Sequence, residues 1–224
     1  PELTRPYYTL PADKVRVIPH PSYVGVYPAD TTRDAARAAL GLGAGETVLA
    51  ALGAVRRYKG IGSLLDAFDA ARRANPRLRL IVAGRPIRFP GFVALKRRCE
   101  RNPAILSRFE GVPDEELQLY LAAADVVVLP YADVLNSGIV MLAATFGRPV
   151  IAPDCGCVGA IVGEELGIRF KPDSPGALEQ ALLRVDSLKD PRHADAARRF
   201  AESLAPRLVS ERFSRALREA AIRR

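Results

Sequence analysis

The stretch from Thr47 to Gly84, TVLAALGAVRRYKGIGSLLDAFDAARRANPRLRLIVAG, decides the fold. Thr47–Leu52 is a continuous apolar run, the pattern of a strand buried on both faces. Gly53–Gly60 is a loop with glycine at both ends. Ser63–Ala74 carries Leu64, Leu65, Phe68 and Ala71 at helical spacing and is closed by Asn75-Pro76. Leu78–Ala83 is apolar again and ends at Gly84. Strand, loop, helix and strand in about 38 residues make one βαβ unit, whose crossover requires parallel strands.

The same alternation extends in both directions. Upstream, Val15–Ile18 has the composition of a strand, and Thr31 or Thr32 can cap a helix that runs to Leu40, where Gly41 stops it. Downstream, Gly91–Glu100 suits a helix, Ile105–Phe109 a strand, and Pro113-Asp114-Glu115-Glu116 the start of a helix with acids in its first turn. Asp125–Leu129 is a strand stopped by Pro130. Gly138–Phe146 is helical in pattern, Pro149–Ala152 is a short strand, and Ile168–Phe170 is the last, at the sheet edge. Pro175–Leu188, His193–Leu204 and Leu208–Ile222 are helices separated by Asp190-Pro191 and Pro206. The expected architecture is α/β: a Rossmann-like, doubly wound sheet of about six mainly parallel strands with C-terminal helices. No internal repeat or linker divides residues 1–224, so one domain is expected.

Composition is that of a globular chain. Of 224 residues, 49% are apolar and 26% charged, which excludes disorder, collagen and a disulfide scaffold as the main state. No apolar run reaches the roughly 18–20 residues of a membrane helix. The N-terminus PELTRPYYTL lacks a signal-peptide pattern and an initiating Met, so the chain is expected to be a piece of a longer one. The net charge is +8, but the cations are dispersed except in the last helices, and no nucleic-acid partner is expected. Cys99, Cys155 and Cys157 are an odd set, and Cys155-Gly156-Cys157 is too close for zinc spacing. Reduced thiols, a cytoplasmic location and no metal site are expected.

In an open parallel sheet, ligands bind beyond the carboxyl ends of the strands. That directs attention to Gly53–Gly60, Gly84–Pro90, Gly111–Pro113, Pro130–Gly138 and Pro153–Gly159. The first holds Arg56, Arg57 and Lys59 within four positions, between glycines that permit close backbone approach. It suits a diphosphate as well as it suits an exposed basic turn, and it lacks Walker spacing. In the fourth, Asn136 or Ser137 can cap the next helix and Gly138 leaves its first turn open, a seat for phosphate. Asp154-Cys155-Gly156-Cys157-Val158-Gly159 is a loop of small residues.

Taken in order, these segments resemble the C-terminal, donor-binding half of a GT-B glycosyltransferase of the broad family-4-like group. Val15-Arg16-Val17-Ile18-Pro19 resembles its VxVIPNG strand, Gly53 to Gly60 its G-R-x-x-x-x-K-G loop, and Leu80 to Gly84 its LxIVG strand. Phe109 to Leu117 resembles FxGxVxxEEL, Tyr120–Pro130 resembles YxxADVxVLPS, and Phe146–Ala152 resembles ACGxPVVA. The likeness covers nearly the whole chain. It implies transfer of a sugar from a nucleotide diphosphate sugar, without metal, to an acceptor in polysaccharide or glycolipid synthesis.

Residue by residue, Lys59 falls on the family lysine that neutralises the leaving diphosphate. Ala54 falls on its arginine, with Arg56 or Arg57 in the same loop as substitutes. Gly53 opens that loop, and Val112 falls where the family's backbone binds the base. Asn136, Ser137 and Gly138 resemble a polar turn that cups the diphosphate in one subgroup. His20-Pro21-Ser22-Tyr23, in place of the usual NGVD, resembles a bacterial exopolysaccharide subgroup.

Two carboxylates of the family pattern are missing, since Val134 and Leu142 stand where its E-x7-E would fall. The resemblance further implies an N-terminal acceptor domain outside this chain, inactivity without it, and peripheral contact with the inner membrane face through the acceptor. Two other readings stand beside it. One is a nucleotide-sugar-binding module without catalysis. The other is an unrelated doubly wound domain, although the clustered Asp of a receiver and the GxxGxxG and YxxxK of an epimerase are absent.

Overall fold

The computed structural model describes residue 11, residues 15–87 and residues 89–222. Six strands form one sheet in the order β3-β2-β1-β4-β5-β6, with every pairing parallel. They are β1 (Thr47–Leu52), β2 (Leu78–Ala83), β3 (Ile105–Arg108), β4 (Val126–Val128), β5 (Val150–Pro153) and β6 (Gly167–Phe170). The helices are α1 (Arg33–Ala39), α2 (Ile61–Ala74), α3 (Phe92–Arg101), α4 (Leu117–Ala123), α5 (Gly138–Thr145), α6 (Gly156–Ile161), α7 (Ala177–Leu183), α8 (Pro191–Ser203) and α9 (Pro206–Ile222).

The period-2 alternation of each strand divides its side chains between two cores. Leu49, Ala51, Leu80, Val82, Val126, Val128 and Ile151 meet the apolar sides of α2 and α7. Val48, Ala50, Ile81, Val127, Leu129 and Val150 meet those of α4, α5 and α6. In α2, Leu64, Leu65, Phe68 and Ala71 are buried as their spacing requires, together with Ile61 and Ala67. The order of strand addition reverses between β1 and β4, because β2 and β3 are laid on one side of β1 and β4 to β6 on the other. Ligand crevices of doubly wound sheets open at that switch point.

Four local expectations are corrected. Val15–Ile18 is not a strand; Pro19 and Pro21 carry no N–H, and the segment passes outside the sheet, where Ser22 N–H donates to Leu204 O and Tyr23 N–H to Thr145 Oγ1. The acids of Pro113–Glu116 form a turn ahead of α4, and Glu116 pairs with Arg108 at the end of β3 instead of lying in the helix's first turn. The small-residue segment after β5 is not all loop: its small residues let α6 begin against the β4–α5 connection, with Cys157 N–H on Leu135 O at 2.8 Å. Any Cβ on Gly156 (φ +57°) would lie 1.9 Å from Val134 O. The long helix Pro175–Leu188 breaks at Arg184; a 3-10 turn follows and buries Val185 and Leu188 at its own three-residue spacing.

The helix starts are capped as the residue types dictate. Thr32 accepts from Ala35 N–H at 3.2 Å, Asp190 from Arg192 N–H at 3.0 Å, and Ser137 from Ile139 N–H at 3.3 Å. Among the described residues, no helix is long and apolar enough to cross a membrane.

Candidate active site

The loops after β1, β2 and β4 are locked to one another through backbone approaches that only glycine permits. Gly84 lies on Gly53 so closely that a Cβ would stand 2.0 Å from Gly53 O. Val55 bridges Pro86 in parallel, with N–H to Arg85 O at 2.9 Å. Gly60 (φ +63°) would place a Cβ 1.9 Å from Pro130 O. The loop that the sequence singles out is therefore fixed at both ends to its neighbouring strands.

A cavity of about 530 Å³ opens at the carboxyl ends of β1, β2 and β3 and reaches the first turn of α5. Its floor is Gly53, Ala54 and Gly84; Val112, Pro113 and Leu117 form one wall, and Ile139 and Leu142 the other. Arg85, Arg108 and Glu110 supply its charge. Arg108 is committed to Glu116 and to Tyr120 Oη, the latter at 3.0 Å. Arg85 is exposed and extends beside Gly111, whose Cβ position would lie 3.8 Å from Arg85 Nε.

Lys59 stands beside this cavity. The Cβ position of Gly53 is 3.3 Å from Lys59 Nζ and 3.2 Å from Ile139 Cδ1, so the ammonium lies between the loop's first residue and the start of α5. It also sits over the Tyr131 ring, 5.1 Å from the centroid. Burial, and then the positive charge of Arg56, pull its pKa below the ordinary 10.5. Among the described residues no carboxylate reaches ion-pair distance of Lys59. A partly desolvated cation without a counter-ion, beside a cavity at the switch point, is ready for an anionic ligand.

The other predicted residues divide. Gly53 and Val112 line the cavity. Arg56 and Arg57 are exposed, and Arg56 is near enough for its charge to act on Lys59. Ser137, not Asn136, caps α5; its Oγ turns inward to Ile139 N–H and lies 3.3 Å from Tyr131 Oη. Asn136 is exposed and accepts from Ser137 N–H at 2.8 Å. Burial pushes the Tyr131 phenol up to about 12, against a lowering by the Ser137 hydrogen bond. Gly138 is not open to solvent alone, because its Cβ position is 2.8 Å from Tyr23 Oη and 3.8 Å from His20 Nε2.

Sequence reasoning passed over Arg85, although it directly follows Gly84 at the end of β2, in a loop that the strand rule marks. It also gave no role to Tyr23 at Gly138, a contact between positions 115 residues apart that no local pattern encodes. Leu142 presents an apolar side chain to the cavity and Val134 is buried, so neither position offers acid-base chemistry.

The family model described as "Glycosyl transferases group 1" matches residues 46–187. Among curated proteins, a GDP-mannose:glycolipid 4-beta-D-mannosyltransferase of Xanthomonas campestris pv. campestris is 32% identical over 131 residues, 58% of this chain and 37% of that protein. A D-inositol 3-phosphate glycosyltransferase of Segniliparus rotundus is 29% identical over 165 residues, 71% of this chain and 36% of that protein. The matched segment thus spans little more than a third of the length of these relatives. Among solved structures, sucrose-phosphate synthase from Thermosynechococcus elongatus superposes with a TM-score of 0.76 at 23% identity, over 93% of this chain and 53% of that one. Anabaena HepE in complex with UDP and glucose superposes with a TM-score of 0.68 at 20% identity, over 82% and 51%. At these identities the structural likeness is one of fold.

Proposed function

The chain belongs to the glycosyl transferases group 1 family, and on that premise we propose that it is the donor-binding half of a glycosyltransferase. It would hold a nucleotide diphosphate sugar whose sugar passes to an acceptor in polysaccharide or glycolipid synthesis. The observation that carries this reading is Lys59: a half-buried ammonium with no carboxylate partner among the described residues, over Gly53 and beside Ile139, both of which line the cavity.

A diphosphate reaching from the cavity to Lys59 would meet that ammonium and, on the other side, Arg85. Lys59, with Arg56 reinforcing the local potential, would neutralise the charge that grows on the leaving diphosphate. We take these side-chain cations, without a resident metal, as the means of neutralisation, because Lys59 has no carboxylate partner among the described residues and Arg85 lines the cavity. The apolar wall of Val112, Pro113 and Leu117 would take the base. The Asn136-Ser137-Gly138 turn joins this site through Ile139, whose side chain touches the Gly53 position.

The relatives' names support the class of substrate: one uses GDP-mannose on a glycolipid, and HepE was crystallised with UDP and glucose. The acceptor would be held by an N-terminal domain outside this chain, and transfer would need both. The working location would be the cytoplasm, at the inner membrane face where such an acceptor is held. A second reading, a binding module without transfer, draws on Leu142 and Val134, which bring no carboxylate to the site.

Isothermal titration of UDP, GDP and ADP into the chain tests the common part of both readings. Saturable binding of one of them, and no sugar transfer by this chain alone, are expected. Turnover by a protein that joins this chain to its acceptor domain separates the enzyme from the module.

A further inference from the structure

The opposite end of the sheet holds a second concentration of positive charge. Asp125, which precedes β4, is buried, forms an ion pair with Arg33 Nη2 at 2.5 Å, and accepts from Arg37 Nη2 at 2.9 Å and Val48 N–H at 2.8 Å. Arg37 also donates to Ala123 O, Gly43 O, Ala44 O and Glu46 O, so it is a fully used structural group. Arg148, two residues before β5, lies near enough for the charges of Arg33, Arg37 and Asp125 to act on it, and its buried Nε has no hydrogen-bond partner among the described residues.

Arg198 of α8 closes the group. Its guanidinium lies flat on Gly147 (φ +64°), with Nε, Cζ and Nη2 at 2.8, 2.9 and 3.0 Å from the Cβ position. The last carbonyls of α5 are taken up in closing the helix. Ala143 O and Ala144 O already receive Arg148 N–H at 2.8 Å and Gly147 N–H at 2.9 Å.

Four guanidinium groups thus face two carboxylates, Asp125 and the exposed Asp195, which takes Arg198 Nη1 at 3.2 Å. Burial and the charges of Arg33, Arg198 and Arg37 pull the Arg148 guanidinium down to about 10, against Asp125, which raises it. A part-buried cation without a partner is costly unless an anion joins it. Arg33 and Arg198 keep 43% and 53% of their side chains exposed, so the group is open to solvent on one side.

We propose that Arg148, Arg33 and Arg198 form an anion site at the amino end of the sheet, for a free dianionic oxyanion of the phosphate class. It is separate from the donor cavity, which lies at the carboxyl ends of the same strands, about 20 Å away along six-residue β1. Fork-shaped guanidinium donors from α1, the α5–β5 turn and α8 suit a tetrahedral anion. Bound there, the anion would tie α1 and α8 to the turn between α5 and β5.

Thermal unfolding of the whole chain in inorganic phosphate, against chloride at matched ionic strength, tests the site. A saturable rise of about 5 °C or more at a hundredfold excess over the dissociation constant is expected. The rise persists in Lys59→Met, which leaves this end of the molecule untouched. It disappears in Arg148→Met, whose melting temperature in chloride is unchanged or higher because the unpartnered charge is gone. Arg198→Gln alters only an exposed side chain and is expected to weaken phosphate about tenfold, so it decides the matter if Arg148→Met fails to fold. The proposal is overturned if phosphate does nothing beyond chloride. It is equally overturned if Arg148→Met and Arg198→Gln respond like the parent, or if Lys59→Met abolishes the rise.

Discussion

Replacing Lys59 by methionine should move stability and affinity in opposite directions. The ammonium is part-buried, has no carboxylate partner among the described residues, and has its pKa pulled down by burial and by Arg56. A lysine whose folded pKa lies below its unfolded value of 10.5 binds fewer protons in the native state than in the unfolded state. Its charge therefore costs stability at neutral pH, and that cost fades as pH rises through the lowered folded pKa toward 10.5. Lys59→Met removes the cost along with the ammonium's contact over the Tyr131 ring, and the cost of the unpartnered charge is the larger of the two, so the ligand-free variant should melt at the same temperature or higher at pH 7. The parent's relative stability should then improve toward pH 10. Binding should respond the other way. A hydrogen bond to a charged group contributes about 1.5–3 kcal/mol, so nucleoside diphosphate affinity should fall about 10- to 150-fold, with the free nucleoside nearly unaffected. Calorimetric titration with diphosphate and nucleoside, beside a thermal melt of each protein, reads both effects. Equal losses for diphosphate and nucleoside, or a clear drop in melting temperature with affinity retained, would refute the assignment of Lys59 to the phosphate.

Other consequences can be measured on the same protein. Arg85→Ala should weaken the diphosphate by about 1 kcal/mol in the same titration and leave stability within about 0.5 kcal/mol, since the side chain is exposed. Gly84→Ala should cost roughly 3 kcal/mol or more in urea unfolding, because its Cβ would strike backbone oxygen at 2.0 Å with no flexible side chain to yield. Ser137→Ala should cost about 1–2 kcal/mol, as it removes the α5 cap and leaves the Tyr131 hydroxyl without that partner. Asp125→Asn should cost roughly 3–5 kcal/mol by denaturant titration, the range for breaking a buried ion pair, because Arg37 stays buried.

The strands that were legible are those whose signal is local. Thr47–Leu52 and Leu78–Ala83 are long, apolar and bounded by Gly53, Asn75-Pro76 and Gly84, and their bounds appear unchanged in the sheet. Val15–Ile18 is apolar too but joins none of the six strands, and the chain just after it is held by Ser22 on Leu204 O and Tyr23 on Thr145 Oγ1. Strand propensity alone cannot supply the second strand. α6 escaped detection because its helical turn depends on Gly156 and Cys157 fitting against Val134 and Leu135, a tertiary match that their small size permits but does not announce.

The candidate site was legible to the same extent. Lys59 and Gly53 stand out because a glycine-bounded basic loop follows a buried strand. Gly138 is less open than its local sequence suggests, because Tyr23 arrives from the far end of the chain. A side chain placed at Gly138 meets that hydroxyl before it meets any ligand, so Gly138 variants report on Tyr23 as much as on phosphate. The charge cluster around Arg148 is drawn from α1, the α5–β5 turn and α8, which the fold brings together and the sequence holds apart.

The most direct test of the central claim is a crystal structure of this chain with whichever of UDP, GDP or ADP binds it. The account predicts a phosphate oxygen within about 3 Å of Lys59 Nζ, with the base against Val112 and Pro113. A diphosphate bound away from Lys59, or a base outside the cavity between Val112 and Leu142, would contradict it.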